Sequence, residues 1–359
     1  MAFTTINDGK TQFFTHGWTG DDAASRNITE AGTFRPGMVW VKARDMSGRS
    51  HYLWQEAEGY GANKELVPNA SVQEGDTSNH NTGANGYVSG TQPTGFTLTA
   101  GSGDSDYTNA NGYKYVGWTW NGTNSTSTNG DGSIDISNST NTTSKFNVGI
   151  YSGNGSAGAT IGHGLGVKPA AIFIKVRNTA DDWAVWHHRD ENSTLRLNSS
   201  ASNNDGKYSS FFNSTQPSTS VITLGNDAQV NGNGNSYLMF CWAEVQGYSQ
   251  FGRFKGNGNV DGPFCYTGFK PGFVMVKNIS NSGNWRMNDI MRNPTNVVNL
   301  GLNANENAVE FSQDTCDFLS NGFKVRDSAG GNTNADDYVY WCWAENPFVS
   351  SSGTALPAH

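Results

Sequence analysis

The chain has 359 residues, 15% of them charged and 12% aromatic, with a formal net charge of −8. Low charge combined with many aromatics excludes a disordered chain, and an acidic balance without a Lys/Arg cluster excludes the basic footprint that nucleic acid requires. No apolar run approaches the roughly 20 residues of a membrane helix, so no membrane insertion is expected.

Met1 to Lys10 has neither a basic stretch nor an apolar core, so no secretory signal is expected, and the Asn-x-Ser/Thr triplets are not read as glycosylation sites. Pro36 then leads a short run, Met38 to Val41, that is β-branched and aromatic and too brief for a helix. Leu66 and Asn69 form an L-x-x-N phrase, followed by Gly95-Phe-Thr-Leu98, by Asn109-Ala-Asn111-Gly-Tyr113-Lys-Tyr115 and by Trp120. The same landmarks return in the same order twice more. Pro169 leads Ile172 to Lys175, then come Leu195 and Asn198, Val221-Ile-Thr-Leu224, and Asn231, Asn233, Tyr237 and Trp242. Pro271 leads Phe273 to Val276, then come Leu300 and Asn303, Gly322-Phe-Lys-Val325, and Asn332, Asn334, Tyr338 and Trp343. Several landmarks kept in register imply internal duplication.

The repeated pieces read as β structure. Tyr237 to Trp242 and Tyr338 to Trp343 are continuous apolar stretches of strand length, separated by Asn-Gly, Asp-Gly and Ser-Gly pairs suited to tight turns. The expected fold is all-β, with three tandem antiparallel β-sandwich repeats of jelly-roll or concanavalin-like kind, each of about 100 residues. They are expected at 1–120, 146–248 and 249–359, with 121–145 as a polar, flexible linker in which Ile134 and Ile136 mark one short strand. Units two and three, joined through Ala243 to Gly252, are expected to pack as a stiff pair with unit one more loosely attached.

Cys241 and Cys342 occupy matching places in two repeats and read as small buried hydrophobes. Cys265 and Cys316 both fall in the third unit, where a Cα distance decides pairing. Among candidate chemical groups, His163 lies between glycines and is expected to bond nearby backbone. His187 and His188 are adjacent, so on a strand they point to opposite faces and hold no common metal. Trp183, Trp186 and Trp285 read as packing residues. Asp104, Asp106, Asn109 and Asn111 make an oxygen-rich loop but lack the glutamate of a calcium site; the repeated Asn pairs are expected to make Asx-turns. Glu244 and Glu345 follow Trp242 and Trp343 and are expected to accept turn N–H groups while lying far apart on different domains. No catalytic residue, metal or cofactor is expected, and the chain is read as a non-enzyme.

A series of phrases carries a resemblance: Ile150-Tyr-Ser-Gly-Asn-Gly155, Ile161-Gly-His-Gly-Leu-Gly-Val-Lys-Pro169, Asp261-Gly-Pro-Phe264, Thr267-Gly-Phe-Lys-Pro271 and Ala344-Glu-Asn-Pro-Phe348. From about residue 10 to residue 348 the chain resembles a family of tailed-bacteriophage virion structural proteins, tail-associated and common in marine and cyanobacterial phages. In the first unit, Gln55-Glu-Ala-Glu-Gly59 stands where that family more often shows an aspartate and arginine pair. The resemblance implies a virion protein assembled in the host cytoplasm, a tail or tail-fibre component contributing to host attachment. Its implied partners are other virion proteins and further copies of itself (a trimer favoured); the Trp and Asn content adds a host surface glycan, with aromatics on a neutral polar surface available to stack on sugar faces. The alternatives are a capsid decoration or protruding head protein, and a glycan-degrading tailspike.

Overall fold

Each proline-led run becomes a strand buried along most of its length: Pro36–Ala43, Ala171–Val176 and Phe269–Asn278. This is seen in a computed structural model of the chain, whose described residues are 3–29, 34–203 and 206–355; Met1 and Ala2 of the segment read for a leader lie outside them. Bulky apolar side chains on both faces demand cover on both faces. The strands find it in three antiparallel sheets that share one order, an opening strand, a closing strand, the proline-led strand and a short fourth strand. In the first sheet these are Phe13–Thr19, Lys114–Asn121, Pro36–Ala43 and Tyr52–Gln55. In the second they are Phe146–Ser152, Ser236–Trp242, Ala171–Val176 and Ala184–His187. In the third they are Ser249–Lys255, Asp337–Pro347, Phe269–Asn278 and Arg286–Asp289. Register repeats as well, since Met38, Ala171 and Phe273 stand opposite Trp120, Trp242 and Trp343. The chain is all-β apart from short helical turns such as Thr82–Asn85 and Tyr208–Phe212.

Period-two alternation decides which face goes where. In the first two sheets Val39, Val41, Ile172 and Ile174 turn toward clusters private to their own unit. Met38, Trp40, Ala171 and Phe173 turn the other way, into one cluster that also holds Phe273 and Met275 of the third. Trp120, Trp242 and Trp343 meet there with ring centroids 6.3, 5.2 and 5.9 Å apart pairwise, all within the range of favourable aromatic contact. The main core therefore lies between the units and is shared by all three. A loosely attached first unit is corrected on this ground: Phe13, Trp118 and Trp120 are as deeply embedded as their counterparts.

The polar segment 121–145 is also not a free linker. Ser127–Asn129 and Ile136–Asn141 add two strands to the second sheet. Ile134 and Ile136 bury beside Ile161. Asn138 donates to Gly162 O, Asn147 donates to Thr140 Oγ1, and Ser139 donates to the Glu56 carboxylate of unit one. Its side chains are polar because they make bonds inside the fold, which composition alone reads as solvation.

Two smaller points of register follow. The third L-x-x-N phrase is Leu302 to Asn305, two residues beyond the expected Leu300 and Asn303. Asn305 Oδ1 accepts the Trp285 N–H at 2.8 Å, as Asn69 accepts from His51 at 2.8 Å and Asn198 from Trp183 at 3.0 Å. All four cysteines are buried and free. Cys265 and Cys316 sit on strands separated by Gly322–Val325, which places their Cα atoms roughly 9–10 Å apart or more, beyond disulfide reach.

Candidate functional site

The N-x-N phrase is a clamp built three times. Its first asparagine, Asn109, Asn231 or Asn332, is buried and reaches across to the loop that follows the opening strand. Asn231 Oδ1 accepts from Asn154 N, and Asn332 Oδ1 from Asn257 N, both at 2.9 Å; Asn109 Nδ2 donates to Asp21 Oδ1 at 2.7 Å. The next residue's N–H (Ala110, Gly232, Thr333) donates to the phenol of Tyr115, Tyr237 or Tyr338 at 2.9, 2.6 and 2.8 Å. These asparagines thus join distant loops, and the local Asx-turn expected for them is corrected. A sequence signal was present: Gly153-Asn-Gly155 and Gly256-Asn-Gly258 recur at the facing positions.

Three equivalent hydrogen bonds between units run one way round a closed ring. His51 Nε2 donates to Asn303 O of unit three, Trp183 Nε1 to Val67 O of unit one, and Trp285 Nε1 to Arg196 O of unit two, each at 3.0 Å. The acceptors hold equivalent places, one residue after Leu302, Leu66 and Leu195. Arg44 grips Glu310 through two bonds of 3.1 and 2.9 Å, and Arg177 grips Glu74 in the same manner. At the third seam the corresponding place is apolar, with Ile279. Lys42, Lys175 and Lys277 end the proline-led runs and are buried at these seams, each Nζ bonding backbone carbonyls. Burial pushes Lys42 down to about 7 and the other two to about 8.

The aspartate and arginine pair missing from unit one is present in unit three. Asp289 and Arg292 have fully buried side chains 2.6 Å apart. Trp118 Nε1 of unit one donates to Asp289 Oδ2 at 3.0 Å, and Arg292 reaches on to Glu310 at 3.2 Å. Gln55 and Asp289 hold matching register positions. Gln55 keeps the turn bond, accepting from Glu58 N at 3.1 Å where Asp289 accepts from Arg292 N at 2.9 Å.

The carboxylates past the central tryptophans rim one end of this ring. Glu244 Oε1 accepts from Phe251 N at 3.0 Å and lies 3.5 Å from His188 Nε2. Burial opposes its ionisation, but the imidazole and the Phe251 N–H hold it below the ordinary carboxylate value. Glu345 bridges Lys10 at 3.2 Å and Lys270 at 3.0 Å and, among the described residues, accepts no turn N–H. The tryptophans preceding the two glutamates touch, so the glutamates do not belong to separated bodies. Unit one has Gly122 at this place; Glu56 fills the space from the turn after the fourth strand, and a Cβ on either Gly122 or Gly37 would collide with it. Glu56 accepts from Thr123 N at 3.1 Å and Asn124 N at 2.8 Å. Beside Glu244 lies a cleft of about 750 Å³, lined by Lys145, Lys168, His188, Arg189, Glu191 and threonines.

Of the other expected groups, His163 accepts from Leu165 N at 3.2 Å and lies 3.4 Å from Ser218 O, fixing its turn. His187 and His188 do not point to opposite faces. The strand ends at His187 and a 3-10 turn begins at His188, so both rings meet unit three, on Tyr340 O at 3.2 Å and Phe251 O at 2.6 Å. Around the oxygen-rich loop, Asp106 pairs with Arg49, Asp104 accepts from Asp106 N and Asn109 is taken by Asp21. All eleven tryptophans are buried, which removes tryptophan as a sugar-stacking surface; the exposed aromatics among the described residues are Tyr113, Phe264 and Tyr266.

Burial pushes His16 down to about 3 and holds His51 and His187 well below 6.5. An unfolded chain takes up these protons from pH 6.5 downward while the folded one does not, so stability falls on acidification at about 1.4 kcal/mol per pH unit for each group. Glu65, raised to about 8 by burial, acts oppositely between pH 8 and 4.5 and offsets one histidine. The urea midpoint is expected to drop clearly between pH 6.5 and 4.5; a constant or rising midpoint contradicts the assignment.

Comparison with curated proteins gives no match, and comparison with solved structures gives none either. One family model, described as a domain of unknown function (DUF7483), matches residues 8–347. That span takes in all three units and the whole ring, and the chain therefore belongs to the DUF7483 family.

Proposed function

We propose that the chain is a non-enzymatic structural protein of a tailed-phage virion, a tail or tail-fibre component that contributes to host attachment. We further propose that its three units are sandwich repeats descended from one ancestor. The observation that carries this reading is the tryptophan core shared by three linked units and closed by three equivalent seam bonds that run one way round. Fibres build threefold bodies from three chains, whereas here the threefold relation lies within one. On this reading the body is a rigid spacer whose buried polar groups serve the seams, and the trimer favoured from the sequence is a further assembly of three such bodies. The phage resemblance, spread over most of the chain, supplies the particle.

Gold labelling of purified phage with an antibody to this protein tests the proposal. Label at the tail end is the expected result. Label over the head would make it a capsid decoration, and new reducing ends on incubation with host polysaccharide would make it a tailspike enzyme.

A further inference from the structure

The three equivalent places at the rim of the ring differ in what remains free. In unit one Glu56 occupies the space and its oxygens accept two N–H groups and a hydroxyl. In unit three Glu345 bridges Lys10 and Lys270, so both ammonium groups there are engaged with a carboxylate. In unit two the carboxylate turns to Phe251 and His188, and the cations around the cleft keep spare donors. Lys145 gives one bond, to Leu165 O at 2.9 Å. Lys168 gives one, to Gln216 Oε1 at 3.1 Å. Arg189 is exposed, and its guanidinium makes no ion pair among the described residues.

From this we infer that the cleft binds a sugar carrying a single carboxylate, a uronic-acid unit within a saccharide. Three cations (Lys145, Lys168, Arg189) face two carboxylates (Glu191, Glu244), so the cleft holds one net positive charge on a chain whose net charge is −8. Charge complementarity therefore favours a monoanion, and an arginine fork is the group best shaped for a carboxylate. A volume of about 750 Å³ is that of a ligand pocket and far exceeds a lone inorganic anion. Thr142 and Thr143 expose hydroxyls at the rim, matched to sugar hydroxyls, while Val167 and Val245 supply apolar wall for the C–H face of the ring. The floor is held in place. Ala170 N donates to Trp242 O at 2.7 Å, His188 N donates to Ala170 O at 2.9 Å, and the His188 ring is fixed on Phe251 O. A pre-formed floor lowers the ordering cost of binding.

Calorimetric titration of the whole purified chain tests this independently of any particle role. The probes are cellobiouronic acid (one glucuronate joined to one glucose), neutral cellobiose and inorganic phosphate. Cellobiouronic acid is expected to bind saturably at one site, more weakly as salt rises, and cellobiose not to bind. The double variant Lys168→Gln/Arg189→Gln alters two exposed side chains outside the core. It is expected to keep the wild-type melting temperature and to bind cellobiouronic acid at least about tenfold more weakly, the loss of one good charge-assisted contact. Absence of saturable binding, equal binding by the variant, or phosphate binding as tightly as the disaccharide would each overturn the inference.

Discussion

Replacing Trp120 with alanine is expected to cost about 3–5 kcal/mol, the range for removing a large aromatic from a packed core, and to weaken all three units together. Trp120 lies 4.9 Å from the Phe13 ring of its own unit, 6.3 Å from Trp242 and 5.2 Å from Trp343. Surrounding strands cannot collapse onto the vacancy, because each is pinned in its own sheet and by the seam bonds. Hydrogen exchange under mild denaturant separates this from a local effect. Amides of Ser236–Trp242 and Asp337–Pro347 should lose protection along with those of Lys114–Asn121. If only the first unit lost protection, the shared core would not be the element that couples the units. Unfolding of the unmodified chain should accordingly show one transition.

The second large effect belongs to Asp289. Its replacement by alanine leaves the buried Arg292 without its nearest counter-charge and Trp118 Nε1 without an acceptor. Breaking one side of a buried pair costs about 3–5 kcal/mol, most of it the desolvated charge left behind. Glu310, still 3.2 Å from Arg292, moderates the loss and sets the lower part of that range. The paired variant Asp289→Leu/Arg292→Met removes both charges and should recover much of the stability in urea titrations. A double variant as unstable as the single one would mean that the pair matters for more than mutual compensation, for instance in fixing the turn through Arg292 N.

Much of the strand layout was legible because its signals are local. Pro36 opens its strand, Pro169 precedes its strand and Pro271 lies within the first residues of its strand, and in each the apolar run then fills it; Tyr237 to Trp242 could be read as buried from its continuous apolar character. The Asn and Tyr spacing was visible, but its purpose was not. Asn231 and Asn154 are 77 residues apart, and nothing local says that one is the partner of the other. The third L-x-x-N slipped by two because Leu300 and Leu302 both precede an asparagine by three residues; burial of Leu302 decides between them. The carboxylate at the first rim position was missed because it comes from Glu56, in the turn after the fourth strand, whereas its counterparts follow the closing tryptophans.

By itself the sequence determined that this protein is all-β and carries one series of landmarks three times in the same order, and which of its runs are apolar. Those are properties of composition, period and spacing, which each segment carries alone. Where the apolar faces go was decided only by tertiary structure. Trp120, Trp242 and Trp343 read equally well as three private cores or as one shared core; the choice rests on how the sheets close around one another. The same closure turned a polar stretch into two strands, placed His187 and His188 on one neighbour, and left the cleft beside Glu244 with three cations that make no ion pair among the described residues. Side-chain bonds between segments far apart in sequence fix these outcomes, and no window of neighbouring residues contains both partners.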